Sequence, residues 1–308
     1  MPINTLQYAA LFQTTLDKLE VQEAKTGWME ANAGQVKYSG GREIKIPKIA
    51  LDGLADYDKD NGYTQGAVTF EYETKTMTQD RGRKFRLDAA DVDETNFVAS
   101  ASTVTGEFQR TKVVPEIDAY RISSLATIAV ANSHIEYGYT PAKATMLDKV
   151  KKDVAKIRDL GYVGPIMVHI TSEALTELEL GVANANLREG SFAQGGINTK
   201  VPVIDQDVFL IETASVNMHT AITLNDGKTA GQTAGGYAPA GKALNYLIVA
   251  KSAPIAVSKL DRMKIFDPAT NQFADAWDID YRRYHDIWVP DNKADFIYAN
   301  SKDAAPTS

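Results

Sequence analysis

Three places in the sequence carry residue types at spacings that chemistry could use. The first is Gly236, Gly241 and Lys242, which reproduce a phosphate-binding loop up to its last position, where Ala243 stands instead of a metal-binding Ser or Thr. That loop works by aiming backbone N–H groups at phosphate, and Pro239 deletes one of them. The residues before it, 229–235, are Gly- and Thr-rich where a buried strand should lead in. A surface loop is the expectation here.

The second is Asp56, Asp58 and Asp60 with Asn61 and Gly62, whose alternating carboxylates resemble a calcium loop. The glycine comes one place late, and Ala67 occupies the twelfth position, so no bidentate glutamate closes the site. The expectation is a solvated hairpin tip. The third is the set of histidines, His134, His169, His219 and His285, far apart and without an H-E-x-x-H pairing or a carboxylate at ligand spacing. His169 falls inside an apolar strand and reads as a hydrogen-bonded core residue, while His285 sits in an alternating strand beside Arg282, Arg283 and Asp286. There is no G-x-S-x-G elbow, and no G-x-G-x-x-G follows a strand. No catalytic residue, cofactor site or metal site is assigned.

Composition narrows the classes further. The 308 residues are 44% hydrophobic and 24% charged, enough for a sizeable core and for two domains or one with long excursions. The absence of cysteine excludes disulfide stapling, thiolate metal sites and Cys nucleophiles together. With 33 Lys and Arg against 40 Asp and Glu, the net charge of −7 argues against a reader of nucleic acid that relies on a basic surface. Residues 1–20 lack a basic start followed by an apolar run, and no stretch of about 18 apolar residues occurs, so a chain kept in the cytoplasm away from membranes is expected.

The elements follow from periodicity. Leu6, Ala9, Phe12, Leu16 and Leu19 form a narrow helical stripe that Asn4 could cap, suited to an arm lying on a neighbour. Residues 36–87 change to period two: Ile44 and Ile46 alternate with Glu43 and Lys45, and Val68, Phe70 and Tyr72 with Thr69, Glu71 and Glu73. The pattern predicts a long hairpin whose polar tip spans 52–66 and whose one face is charged, with a second reversal at Asp80, Arg81 and Gly82. A two-stranded ribbon is marginal alone in water, so it needs a surface that another copy can supply. Phe97, Ala101, Val104 and Phe108 then mark a long helix over 91–114, ended by Pro115, which opens a second helix carrying Ile117, Tyr120 and Leu125. After a polar break at 132–140 come a helix through Leu147, Val150, Val154 and Ile157, a strand at 166–170 and a helix capped by Ser172. Strands follow at 201–204 and 208–212, then a loop over 225–241 and strands at 244–250, 255–266, 274–289 and 296–299.

In this order the elements resemble the major capsid protein of tailed double-stranded DNA bacteriophages. The resemblance rests on "VVPEIDAYRISSLA" (113–126), "DRGRKFRLDAADVDET" (80–95) and "YRRYHDIWVPDNKADFIY" (281–298) and covers most of the chain. It implies an α+β tailed-phage capsid fold: an N-terminal arm (1–35), an extended β-hairpin loop (36–87), a spine helix with the first part of a peripheral domain (88–139), an axial domain (140–250), peripheral strands (251–292), and a return strand with the C-terminal tail (293–308). It further implies a non-enzymatic subunit that self-assembles into hexamers and pentamers of an icosahedral head in the host cytoplasm. Its partners would be further copies of itself, scaffolding protein, portal protein, a decoration protein, and packaged double-stranded DNA by non-specific proximity. Some relatives carry a scaffolding segment ahead of the arm; Met1 favours a separate scaffold. Some also crosslink a hairpin lysine to a neighbour, and Lys48 and Lys59 lie in the corresponding region, although no crosslink is assigned.

The expected assembly contacts are Lys45, Lys48, Asp58, Lys59, Glu71 and Glu73 on the hairpin, Arg81 and Arg83 after it, and Arg282 and Arg283 near the C-terminus. Exposed opposite charges of this kind contribute about 0.2 to 1 kcal/mol per pair and mainly set register. Two alternatives stay open: a nanocompartment shell holding enzyme cargo, and a nucleotide-binding enzyme built on Gly236 to Lys242.

Overall fold

The computed structural model describes residues 24–35, 37–38, 43–57, 59–60, 62–88, 105–188 and 201–306. The expected arm helix and most of the expected helix over 91–114 lie outside the described residues.

The strands are β1 (Lys37–Tyr38), β2 (Glu43–Leu51), β3 (Val68–Thr76), β4 (Gln79–Asp88), β5 (Ile135–Glu136), β6 (Ile166–Thr171), β7 (Val203–Ile204), β8 (Val208–Thr213), β9 (His219–Leu224), β10 (Tyr237–Ala250), β11 (Ile255–Phe266), β12 (Ala276–Trp288) and β13 (Ile297–Ser301). The α-helices are α1 (Val114–Ala131), α2 (Met146–Asp159) and α3 (Ser172–Arg188).

A seven-stranded sheet runs β5-β13-β10-β6-β8-β7, with β9 also paired to β10. Its centre is largely apolar because both faces are covered, with His169 of β6 and Asn245 of β10 among the buried polar exceptions. Tyr246 and Ile248 of β10 pack with Met146, Val150 and Ile157 of α2 and Leu178 of α3. Leu247 and Val249 turn the other way, onto Ile122, Leu125 and Ala129 of α1. Gly161, at φ +87°, ends the α2 segment in the left-handed region that a residue without Cβ adopts freely. A second sheet, β11-β12-β4, lies along the other end of α1, and its Ile279 and Tyr281 pack with Phe85, Phe108 and Val113. A third sheet, β1-β2-β3, is the hairpin with a short flanking strand.

Four expectations change. The chain passes from β3 to β4 through Met77 and Thr78, and residues 80–82 lie inside β4 and form no reversal, so the hairpin is β2 and β3 alone, and β4 pairs along β12 from Gln79 opposite His285 to Asp88 opposite Ala276. Buried Met77 and the Thr78 amide, which donates to Asp286 Oδ2 at 2.7 Å, fix this junction. Gly82 serves close approach within the ladder: a Cβ there would lie 2.8 Å from the Tyr281 carbonyl oxygen. Pro115 does not break the helix. Residues 105–108 are α-helical, Gln109–Val113 form a π turn in which the Val114 amide donates to the Gln109 carbonyl, and α1 continues through Pro115. The first turn of α3 is capped by Thr171, whose Oγ1 accepts from the Ala174 amide at 3.4 Å, while Ser172 donates to Glu212. Residues 237–241, expected as loop, belong to β10, and β9 pairs with them.

The segment before the hairpin is held by a buried polar cluster. Asp118 of α1 accepts from the amides of Lys25 and Thr26, both at 3.0 Å, and from the Thr26 hydroxyl. Burial raises its carboxyl above the ordinary value, against those hydrogen bonds and the charge of Arg121. Arg121, 1% exposed, donates to the Thr26 carbonyl at 3.2 Å and pairs with Glu30. Arg283 of β12 reaches Asp261 at 3.0 Å and Glu30 at 3.6 Å. Removing one partner of a buried ion cluster strands the others, at a cost of about 3 to 5 kcal/mol. Arg121→Met is expected to lower unfolding stability by that amount in urea titration, and a loss under about 1 kcal/mol would show that the cluster does not hold the segment.

Candidate assembly surface

The β2–β3 ladder assigns every hairpin residue to a face, since residues directly opposite point the same way. One face carries Ile44 opposite Lys75, Ile46 opposite Glu73, and Lys48 opposite Glu71. At the base of this face, Ile44 and Ile46 are buried against Ile255, Val257 and Tyr284 of the second sheet. Beyond Ile46 it becomes charged. The other face carries Pro47 opposite Tyr72, Ile49 opposite Phe70, and Leu51 opposite Val68. All six are exposed, with Ile49 at 57%, Leu51 at 69%, Val68 at 72% and Phe70 at 55%.

A phase change in the sequence creates this arrangement. The large apolar residues of β2 occupy even positions through Ile46 and odd positions from Pro47, and a change of one residue moves them to the opposite face. The tip continues the pattern with Leu54, Tyr57 and Tyr63 exposed, the two tyrosine rings 4.9 Å apart. Single exposed apolar residues are ordinary, whereas a contiguous strip on a projecting ribbon marks an interaction surface.

The charged residues expected to make assembly contacts separate into groups. Lys48 meets Asp291 of its own chain at 3.3 Å with both side chains well exposed, Glu73 pairs with Lys75 along β3, Lys45 stands opposite Thr74, Glu71 is exposed, and Lys59 lies exposed in the tip turn. Asp58 lies outside the described residues. Arg81 is committed inside the chain, donating to both oxygens of Glu116 at 2.7 and 3.2 Å and to the carbonyls of Asn225 and Gly236. Arg83 lies 3.3 Å from the Thr233 carbonyl, and Arg282 forms a bidentate pair with Asp80 at 2.8 and 2.6 Å. Arg283 is a correction: it is 4% exposed and spent on Asp261 and Glu30, because its position along β12 turns it toward α1. The apolar set of Pro47, Ile49, Leu51, Val68, Phe70 and Tyr72 is what a charge-based reading missed, and the signal for it was the odd-even shift at Pro47.

The other chemical candidates resolve structurally. Tyr237 to Ala240 pair with β9, and the Lys242 amide donates to Thr220 Oγ1 at 2.8 Å, so this stretch is an extended strand with an amide already used and offers no phosphate cradle. Among the described residues no group of three or more His, Asp or Glu side chains could hold a metal ion. His169 is fully buried between Trp28 and Thr213, as the apolar strand predicted. His285 is buried against the edge of the Tyr120 ring, and burial with Arg283, Arg121 and Arg81 nearby pushes its imidazole well below the ordinary value.

The fold can be set beside solved structures. The capsid of cyanophage P-SCSP1u superposes with a TM-score of 0.58 at 10% identity, covering 86% of this chain and 84% of that one. The mature capsid of bacteriophage PhiM1 gives 0.58 at 10%, over 86% and 83%. The chain has the tailed-phage major capsid fold. A virus-like particle from Pyrococcus furiosus shares this capsid fold at a TM-score of 0.54 and 10% identity, over 95% of this chain and 99% of that one. No family model and no curated protein matches the sequence.

Because Ile49, Leu51, Val68 and Phe70 are exposed, charging this strip should leave the chain folded. Ile49→Asp with Phe70→Asp is expected to change the unfolding free energy of the unassembled subunit by no more than about 0.5 kcal/mol per site and to reduce its binding of a hydrophobic dye. A loss of several kcal/mol would show that the strip is buried within the subunit.

Proposed function

We propose that this chain is a capsid shell subunit whose copies are completed by one another, and that the bare apolar face of the β2–β3 hairpin is the surface each copy lays on the next. The observation that carries this reading is the contrast between the hairpin's base, sealed against its own second sheet, and its distal half, where six apolar side chains in register face solvent. Covering such a side chain stabilises an interface by on the order of 1 to 2 kcal/mol each, more than the exposed charges beside them. The charges Lys48, Glu71, Arg83 and Arg282 then adjust register and discriminate against wrong neighbours.

By its fold the subunit would form hexamers and pentamers of an icosahedral head, with an axial domain built on the seven-stranded sheet and a peripheral domain built on α1 and the β11-β12-β4 sheet. Scaffolding, portal and decoration proteins and packaged double-stranded DNA are the partners this reading calls for, and the virion, assembled in the host cytoplasm, is the location. Its role is structural and not catalytic. A second reading, a compartment shell enclosing protein instead of a genome, is favoured by the near-complete mutual coverage with the Pyrococcus furiosus particle.

Electron microscopy of the purified protein tests the proposal: closed shells are expected from the wild type, and only unassembled, folded subunits from Ile49→Asp with Phe70→Asp or from deletion of 52–66. Normal particles from both variants would overturn it. Double-stranded DNA inside particles made in the native host would favour the head, and a co-purifying protein cargo the compartment.

A further inference from the structure

The 3-10 helix Gly27–Gln35 crosses from the Asp118 cluster to the edge of the hairpin, and Trp28 within it reaches the seven-stranded sheet. Its indole Nε1–H donates to His169 Nε2 at 3.3 Å, with the two rings stacked at 6.1 Å and 22°. An indole nitrogen only donates, so His169 must accept at Nε2 and carry its proton on Nδ1. That proton points at Thr213 Oγ1, 3.2 Å away, and the Thr213 hydroxyl in turn donates to the Ile211 carbonyl at 3.2 Å. The chain of donors runs one way, and a second proton on the imidazole would set two donors against each other.

We propose that the Trp28–His169 hydrogen bond is an acid-released latch that holds the segment leading into the hairpin on the seven-stranded sheet. His169 is fully buried in β6, and burial alone pushes its imidazole down to about 4, so it stays neutral at ordinary pH and the latch is closed. The sign follows from linkage. The unfolded imidazole takes up its proton near 6.5 and the folded one near 4, so the stability that neutral His169 contributes is complete above the first value. It drains away as pH falls through that window.

Among the described residues the indole meets the ring from the 3-10 helix and Thr213 from β8, and along the ladders His169 stands opposite Leu247 of β10 and Ile211 of β8. Asp118, at the other end of the segment, has the opposite sign: burial raises its carboxyl, so acid favours its folded form. Glu30 bridges Arg121 and Arg283, and His285 lies on β12 among the same arginines. None of these touches His169, so a change at that residue alone separates its contribution. The segment keeps its other holds, Thr26 on Asp118 and Asn32 Nδ2 donating to the carbonyls of Lys251 and Pro254 at 2.8 Å, so release is local.

Hydrogen exchange of the full chain, read by mass spectrometry and corrected for the chemical exchange rate, tests the latch. Between pH 6 and 3.5 the amides of 25–35 are expected to lose protection about tenfold, the size of one hydrogen bond exchanged for opposed donors, while those of 244–250 hold. His169→Gln, which offers an acceptor that does not titrate in this range, should lack the step. Trp28→Phe should show the faster exchange already at pH 6 and no further step, and it decides the matter where His169→Gln does not fold. Protection of 25–35 unchanged at pH 3.5, its loss together with that of 244–250, or an acid step of wild-type size in either folded variant would overturn the proposal.

Discussion

A two-stranded ribbon has two faces and nothing of its own to put against either, and this chain resolves the problem for half its length only. At the base, Ile44 and Ile46 are sealed by the second sheet and are as buried as core residues. At Pro47 the apolar residues cross to the opposite face, away from that sheet, and the hairpin runs on into solvent. Burial of apolar surface is the main favourable term in folding, so on the proposed reading a chain that leaves a strip of it outside has deferred part of that gain to association. The rest of the architecture makes the deferral possible, since the hairpin can project only if its root is rigid.

Rigidity at the root comes from polar groups buried with their partners. Asp118, Thr26, Arg121, Glu30, Arg283 and Asp261 connect the segment before the hairpin, α1 and the β11–β12 ladder through charge-assisted bonds. Next to them Met29 enters the core shared by α1 and the seven-stranded sheet. A purely apolar joint would accept several packings of nearly equal energy. Fixed donors and acceptors accept few, and the direction in which the hairpin leaves the body is set accordingly. The Asp80–Arg282 and Glu116–Arg81 pairs carry the same restraint along β4, just past the hairpin's return.

The sequence revealed its elements best where periodicity and punctuation agreed. β11 begins and ends at Ile255 and Phe266 as read, because alternation and the turn at Asp267 to Asn271 point the same way, with the Thr270 amide donating to Asp267 at 2.8 Å. β9 and the first part of β10 were lost to composition: Gly, Ala and Thr dilute the apolar signal, and only the partner strand shows that Tyr237 to Ala240 are extended. Gly82 was misread for the same reason, since a glycine in a strand can mark either a turn or a close approach and only the Tyr281 carbonyl tells which. The side to which a charged strand residue turns is equally hidden. Arg282 and Arg283 are adjacent and chemically alike, yet one pairs at the surface with Asp80 and the other is buried against Asp261, because successive strand residues turn to opposite faces of β12.

Identities near 10% against shells of the same fold become intelligible on this basis. Core positions such as Leu247 and Val249 ask only for apolar volume, which many residues supply. On the proposed reading the hairpin face asks only that one copy's apolar strip match another copy's surface, and because both surfaces would be encoded by the same chain they could change together without reference to any other lineage. What cannot drift so freely is the division of labour along the ribbon. The base must stay complementary to the chain's own sheet while the distal half, as proposed, answers to a neighbour, and the one-residue phase change at Pro47 separates the two demands, so that each face can be altered with little effect on the other.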